Sequence, residues 1–262
     1  DVLRTVDVIA AEDTRVSAKL LRHYAIARTP TALHAHNERH RAAAIVDALA
    51  SGKSVALITD AGTPGISDPG ARLVQAVRAA GHPVVPIPGA CALVAAVSAA
   101  GLNAERFAFL GFLPAQDKAC RALLDSFARL PCALVLYEAP HRIQQTVATL
   151  CESLGADRTL VVARELTKTF ETIATLELGS AMEWFVADSN RTRGEFVLIV
   201  DAADTRSAPT RLTPEAEGWI KALAPELPPA RVARIVAERT GVPREACYAK
   251  ALALKNGRSE PS

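Results

Sequence analysis

From Val6 to Ala203 short runs rich in β-branched residues alternate with longer amphipathic runs, and this alternation limits the fold more than any other feature of the chain. Repeated switching between a two-residue and a 3.6-residue period builds an α/β domain rather than a sandwich or a helical bundle. Strands are expected over Val6 to Ala11, Ser54 to Thr59, Pro83 to Ile87, Phe107 to Gly111, Ala133 to Glu138, Leu160 to Arg164, Glu171 to Leu176 and Glu195 to Val200. Between them, one helix takes Ser67 or Asp68 as N-cap with Pro69 in its first turn, buries Leu73, Val74 and Val77, and closes at Gly81. Further helices fit Ala90 to Ala100, Gln116 to Arg129 and His141 to Leu154. The Ser54 strand, the helix after it and the Pro83 strand read as a parallel βαβ unit.

The stretch "ITDAGTPGISDPG", Ile58 to Gly70, joins that strand to that helix and resembles a phosphate loop at first sight. A P-loop requires Lys and Ser or Thr after its last glycine, where this chain has Ala71 and Arg72. Gly62, Gly65 and Gly70 lack the spacing of a dinucleotide fingerprint, and Asp60 and Asp68 would repel a phosphate. The loop therefore suits a ligand with a hydroxyl, an amine or a positive centre. Asp60 to Gly65 is assigned to that ligand, and Ser67 to Gly70 to starting the helix.

Half the residues are hydrophobic and 22% are charged, as in a soluble globular protein with a sizeable core. A net charge of +2 gives no overall attraction for nucleic acid, so any such attraction is local. After Asp201 a polar, proline-containing stretch reads as a linker. Beyond it, Pro228 to Arg258 reads as two short helices divided at "TGVP", with net charge +5 against −3 for the rest of the chain. Val232, Ile235 and Val236 on the first, with Ala249 and Leu252 on the second, give the apolar stripes of a helix-turn-helix-like pair. This pair is either a packing appendage or a nucleic-acid contact. The five cysteines are scattered and never paired as C-x-x-C, which fits a reducing cytoplasm. No apolar run reaches membrane-span length. The sequence starts at Asp1 almost on a strand, so its natural N-terminus is expected to be missing.

In open α/β sheets ligands lie beyond the carboxyl ends of the strands. Five such edges carry reactive or special residues: "EDTR" from Glu12, "DAGTPGISDPG" from Asp60, "PGAC" from Pro88, "YEAPHR" from Tyr137 and "ARELTK" from Ala163. Each has a plainer alternative. Glu12 and Asp13 serve equally well as caps of the helix near Arg15, His141 as a helix-start residue, and Glu165 with Arg164 as a surface pair. His34, His36 and His40 mix two spacings and lack a carboxylate pair, so no metal site is expected. No G-x-S-x-G elbow is present to support covalent catalysis.

Taken together, "AAEDTR", "HNE" at His36 to Glu38, "LITDAGTPGISDPG", "PIPGACALVAAVSAAGL", "FLGFLP", "LYEAPHRI", "ARELTKTFET" and "RGEFVLIV" resemble the tetrapyrrole methylase-like S-adenosylmethionine methyltransferases. The resemblance spans Val6 to Val200 and extends to the basic C-terminal pair. It implies a two-lobed α/β fold with the cofactor, S-adenosylmethionine, in the cleft between lobes, followed by a small helical C-terminal domain. It implies lobes over 1–113 and 114–201, a linker over 202–213 and a basic helical domain over 214–262. It further implies a cytoplasmic homodimer that 2′-O-methylates a cytidine in the decoding region of 16S rRNA in the small ribosomal subunit. The same fold acting on a tetrapyrrole or a modified protein side chain, and a non-catalytic nucleic-acid-binding module, are the alternatives.

Carried onto this chain, the resemblance places Asp60, Ala61, Gly62, Thr63 and Pro64 on the methionine and ribose side of the cofactor, with Pro88, Gly89, Ala90, Cys91 and Ala92 approaching from the next strand. Tyr137, Ala163, Arg164, Glu165 and Gly194 close the cleft from the second lobe. Candidate bases are Glu138, His141 and Glu165, with Glu12 and Asp13 next. Candidate RNA contacts are Arg15, Arg142, Lys168, Arg231, Arg234 and Lys250. The family's leading strand with a "TPIGN"-type loop is expected to lie in the missing natural N-terminus, and Cys91 stands where serine is usual; a thiol is the weaker hydrogen-bond partner.

Overall fold

The computed structural model describes residues 1–35, 37–102, 105–128, 130–202 and 212–256, which form two compact units, Asp1–Ala203 and Asp204–Ser262. The first unit opens with a short helix α1 (Val2–Thr5) and continues through β1 (Val8–Ala11), α2 (Thr14–His23), β2 (Thr31–Ala32), α3 (Glu38–Ala50), β3 (Val55–Ile58), α4 (Ala71–Ala79) and α5 (Ala92–Ala99). It then runs β4 (Phe107–Phe112), α6 (Asp117–Phe127), β5 (Ala133–Glu138), α7 (Ile143–Leu154), β6 (Thr159–Arg164), β7 (Thr172–Glu177), α8 (Ala181–Val186) and β8 (Phe196–Val200). The second unit holds α9 (Pro214–Leu223), α10 (Pro229–Thr240) and α11 (Arg244–Asn256).

Two sheets organise the first unit. One is parallel with order β2-β1-β3; the other is mixed with order β4-β5-β8-β6-β7, in which only the β4–β5 pair is parallel. The central strands β5, β6 and β8 are continuous apolar runs because they are covered on both faces. Leu136, Leu160, Leu198 and Val200 pack on one side against Leu124, Ile143, Val147, Leu150 and Phe185. Val135, Val161, Val197 and Ile199 pack on the other against Ala96 and Ala100. In the smaller sheet, Ala10 and Leu33 meet Ala42, Ile45, Leu73 and Val77 of α3 and α4.

The expected strand at Pro83 to Ile87 does not form, and with it the βαβ unit: β3 pairs only with β1 among the described residues. Pro83, Pro86 and Pro88 cannot donate to a ladder, and Val85 and Ile87 remain 73% and 62% exposed. Gly81 and Gly101 do follow α4 and α5 with positive φ of 82° and 61°, as stop signals should. In the second unit Gly241 ends α10 in the left-handed region, and Val232 and Val236 are buried as expected. The second helix buries Cys247 and Ala251, not Ala249 and Leu252. Packing against α9, whose Ala216 and Ile220 complete this core, buries a face of α11 turned by about 150° from the expected one. The linker residues 203–211, the end of the chain from 257 and His36 lie outside the described residues.

Candidate active site

The parallel register of β1 and β3 pairs Ala11 with Ile58, so the residues that follow each strand must meet. Glu12 receives a hydrogen bond from the Thr59 hydroxyl at 2.5 Å and one from the Asp60 amide at 3.3 Å. Asp60 in turn accepts from the Asp13 amide at 3.2 Å. Asp13 is the N-cap of α2: it accepts from the Arg15 amide at 2.8 Å and pairs with the Arg15 guanidinium at 2.6 Å. The Arg15 side chain and amide hold the Asp13 carboxyl down to about 2. The two acidic residues of "EDTR" thus divide their labour, one capping and one bridging strand ends.

The loop from Thr59 to Gly70 is anchored from a third direction. Glu38, the first residue of α3, is buried, and its Oε1 accepts from the amides of Gly70, Arg72 and Leu73 at 3.0, 2.9 and 3.1 Å. A carboxylate in this position satisfies donors that the start of α4 leaves open and meets the positive end of its dipole. Neither Ser67 nor Asp68 caps that helix; the N-cap is Gly70, with no side-chain cap of its own. Gly70 holds φ at 140°, and a Cβ there would stand 2.8 Å from Leu57 Cδ2. Ser67 has φ of 65°, and with the chain so turned both Ser67 and Asp68 face a cleft instead.

That cleft encloses about 350 Å³. Ala61, Gly62, Thr63, Ile66, Ser67 and Asp68 form one wall and Cys91 and Ala92 the base. Phe112, Tyr137, Glu138, Ala163, Leu166, Glu195 and Val197 close it from the second sheet. Thr63 ties the loop to its neighbour by donating to the Ala90 carbonyl at 2.9 Å. The Tyr137 ring packs edge-on to Phe109 and Phe112 at 4.9 and 5.8 Å, and its hydroxyl accepts from the Leu93 amide at 3.0 Å. Burial is the main cause that pushes the Tyr137 phenol above its ordinary pKa, so it stays neutral. An apolar, partly aromatic cavity of this size with a few polar groups is the usual form of a small-molecule site.

The pattern of the family described as Tetrapyrrole (Corrin/Porphyrin) Methylases matches residues 1–181, and that of the RsmI C-terminal HTH domain matches residues 210–255. The chain belongs to the tetrapyrrole methylase family. It is 48% identical over 247 residues to a protein of Xylella fastidiosa (strain Temecula1) named Ribosomal RNA small subunit methyltransferase I, covering 94% of this chain and 90% of that one. A protein of the same name from Haemophilus influenzae is 46% identical over 248 residues, covering 95% and 88%. In fold it is similar to uroporphyrin-III C-methyl transferase from Thermus thermophilus complexed with S-adenyl homocysteine, at a TM-score of 0.50 and 21% identity, covering 76% and 87%.

Against this tetrapyrrole methylase frame, the expected cofactor residues Ala61, Gly62, Thr63, Cys91, Ala92, Tyr137 and Ala163 line the cleft. Asp60, Pro64, Pro88, Gly89, Ala90, Arg164, Glu165 and Gly194 do not. Arg164 is buried and spends its guanidinium on the carbonyls of Asn190, Arg193 and Phe170, pinning the turns beside the cleft. Gly194 has φ of 92° and leaves room for Glu165, whose side chain would lie 2.5 Å from a Cβ there. Glu165 accepts from Lys168 at 2.7 Å and from the Glu195 amide at 3.0 Å, and these bonds hold its carboxyl below the usual range.

The expected catalytic groups fare unevenly. Glu138 lines the cleft, yet its wholly buried carboxylate accepts from Thr146 at 2.5 Å and from the Ala139 amide at 2.8 Å. His141 is exposed and outside the lining. Of the expected RNA contacts, Arg15 is 88% exposed, whereas Arg142 donates to the Leu113 carbonyl and Lys168 bridges Glu165 and Glu195 at 2.7 and 2.8 Å. Arg231 and Arg234 are exposed on α10, and Lys250 lies 3.5 Å from Glu217. Glu38, Thr59 and Asp68 were not marked by sequence reasoning as site residues. The signal for Thr59 was the pairing of two strands 47 residues apart, which no local motif announces.

Proposed function

We propose that the chain transfers the methyl group of S-adenosylmethionine to the ribose 2′-hydroxyl of a cytidine in 16S rRNA, acting on the small ribosomal subunit. The observation that supports it most is the pairing of a methylase cleft with a C-terminal helix-turn-helix domain, in relatives above 45% identity whose names specify the ribosomal RNA small subunit. A tetrapyrrole acceptor gives no use for exposed Arg231 and Arg234 on a separate helical unit. The reading includes lobes over 1–113 and 114–201 with the cleft between them, a cytoplasmic setting and a homodimer.

The residues present fit the cofactor. Bare backbone at Gly62 admits close approach, Phe112 and Tyr137 offer aromatic faces to a nucleoside, and the acidic Glu195 suits a cationic rather than a phosphorylated ligand. When bound, the cofactor supplies an electrophilic methyl group on a positively charged sulfur. The walls hold the acceptor in line and keep water out, so much of the acceleration comes from positioning. Exposed arginines, Arg15 at the mouth of the α2 turn and Arg231 and Arg234 on α10, contact RNA phosphates.

The test combines calorimetry with S-adenosylhomocysteine and tritium transfer from labelled S-adenosylmethionine to purified small subunits. The reading requires both binding and transfer. Binding without transfer to the subunit, but with transfer to a corrin, would replace it by the tetrapyrrole alternative.

A further inference from the structure

We infer that Asp68 receives the proton of the acceptor hydroxyl; this rests on the methyl-transfer reading above. Three carboxylates line the cleft among the described residues: Asp68, Glu138 and Glu195. Glu138 is wholly buried and holds the hydroxyl of Thr146 and the amide of Ala139. Glu195 is engaged by the Lys168 ammonium at 2.8 Å, and its side chain is 78% exposed to solvent. Tyr137 is a neutral phenol that already accepts from Leu93, and Cys91 is a thiol. Asp68 is what the cleft leaves for the task.

Its surroundings are built to take up a proton. Glu12, whose Oε2 takes the Thr59 hydrogen at 2.5 Å, and Asp60 stand at the neighbouring strand ends and oppose a negative charge on Asp68. Burial against the cleft wall raises the Asp68 pKa most; the Thr59 hydroxyl works the other way, and the charges of Glu12 and Asp60 add to the rise, which wins. A carboxylate so poised is a better base near neutral pH than an ordinary one.

In the step itself the acceptor oxygen gains the methyl carbon, and the sulfur–methyl bonding pair returns to sulfur. The hydroxyl proton passes to Asp68, so charge and atoms balance. The groups that bear on its titration are Glu12 from the end of β1, Asp60 and Thr59 from the end of β3, and Tyr137; Cys91, Glu138 and Glu195 line the same cleft.

Asp68→Asn keeps the shape and removes the base. We expect a fall in the single-turnover rate of about 10²- to 10⁴-fold, loss of the acid limb of the pH–rate profile, and a dissociation constant for S-adenosylhomocysteine within threefold of wild type. Glu12→Gln removes a neighbouring negative charge, so the acid limb should move to lower pH. Carboxyl carbon NMR on the ligand-free protein should show Asp68 titrating above the usual carboxylate range, and lower in Glu12→Gln. An Asn variant that binds the product normally and transfers at the wild-type rate overturns the role of Asp68 alone, as does an ordinary titration by NMR. A wild-type protein that transfers nothing to the small subunit overturns the functional reading, and the role of Asp68 with it.

Discussion

Glu38 shows how one side chain can govern a loop it never enters. One of its two carboxylate oxygens gathers three amides at the start of α4, and the cleft-lining turn from Ala61 to Asp68 ends where those amides begin. Removing it leaves buried donors unsatisfied, a cost of about 1–3 kcal/mol. We expect Glu38→Ala to lose stability on that scale in urea unfolding and to bind S-adenosylhomocysteine more weakly, while Glu38→Gln, which keeps an acceptor oxygen, recovers most of the affinity. Equal affinity in wild type and Glu38→Ala would show that the anchor does not reach the cleft. At this scale sequence reading found the neighbourhood but not the assignments. Backbone-lining positions such as Gly62 and Ala92 were legible because glycine-rich turns after strands announce themselves. The separate fates of Asp13 and Glu12 were not, since either suits a cap until the partner strand is placed.

Two glycines at helix ends test whether the elements are understood for the right reasons. Gly241 ends α10 with φ of 69° and open space around a notional Cβ, so Gly241→Ala carries only the backbone cost of the left-handed region, about 1–2 kcal/mol. Gly70 adds to an unfavourable φ of 140° a contact of 2.8 Å with Leu57, so Gly70→Ala should cost more and disturb the cleft as well. Thermal unfolding of the two variants should rank them in that order, and product binding should fall only in the second. Similar losses in both would mean that Leu57 yields freely. The strongly periodic elements were the legible ones: α6, α7 and the strands of the mixed sheet lie within a few residues of their expected ends. The failure at Pro83 to Ile87 has a physical cause, because β-branched content predicts extension but three prolines withhold the donors that pairing requires. The rotation of the α11 stripe has another, since α9 chooses the buried face and was not foreseen.

At the scale of the molecule, charge is divided as the chemistry requires. The cleft wall is acidic at Asp68 and Glu195, whereas exposed cations gather on α10. Reversing Arg231 and Arg234 to Glu together should therefore weaken RNA binding and flatten its salt dependence, with product affinity in the cleft unchanged. A double variant with wild-type RNA affinity would remove α10 from the RNA contact. The central claim is that this methylase cleft serves a ribose oxygen of ribosomal RNA. Its most direct test is mass spectrometry of the nucleosides from small-subunit RNA treated with the protein and S-adenosylmethionine. Transfer to the ribose should leave one new 2′-O-methylcytidine per 16S molecule; a methyl group on a base, or none on the RNA while the cofactor is bound, would rule it out.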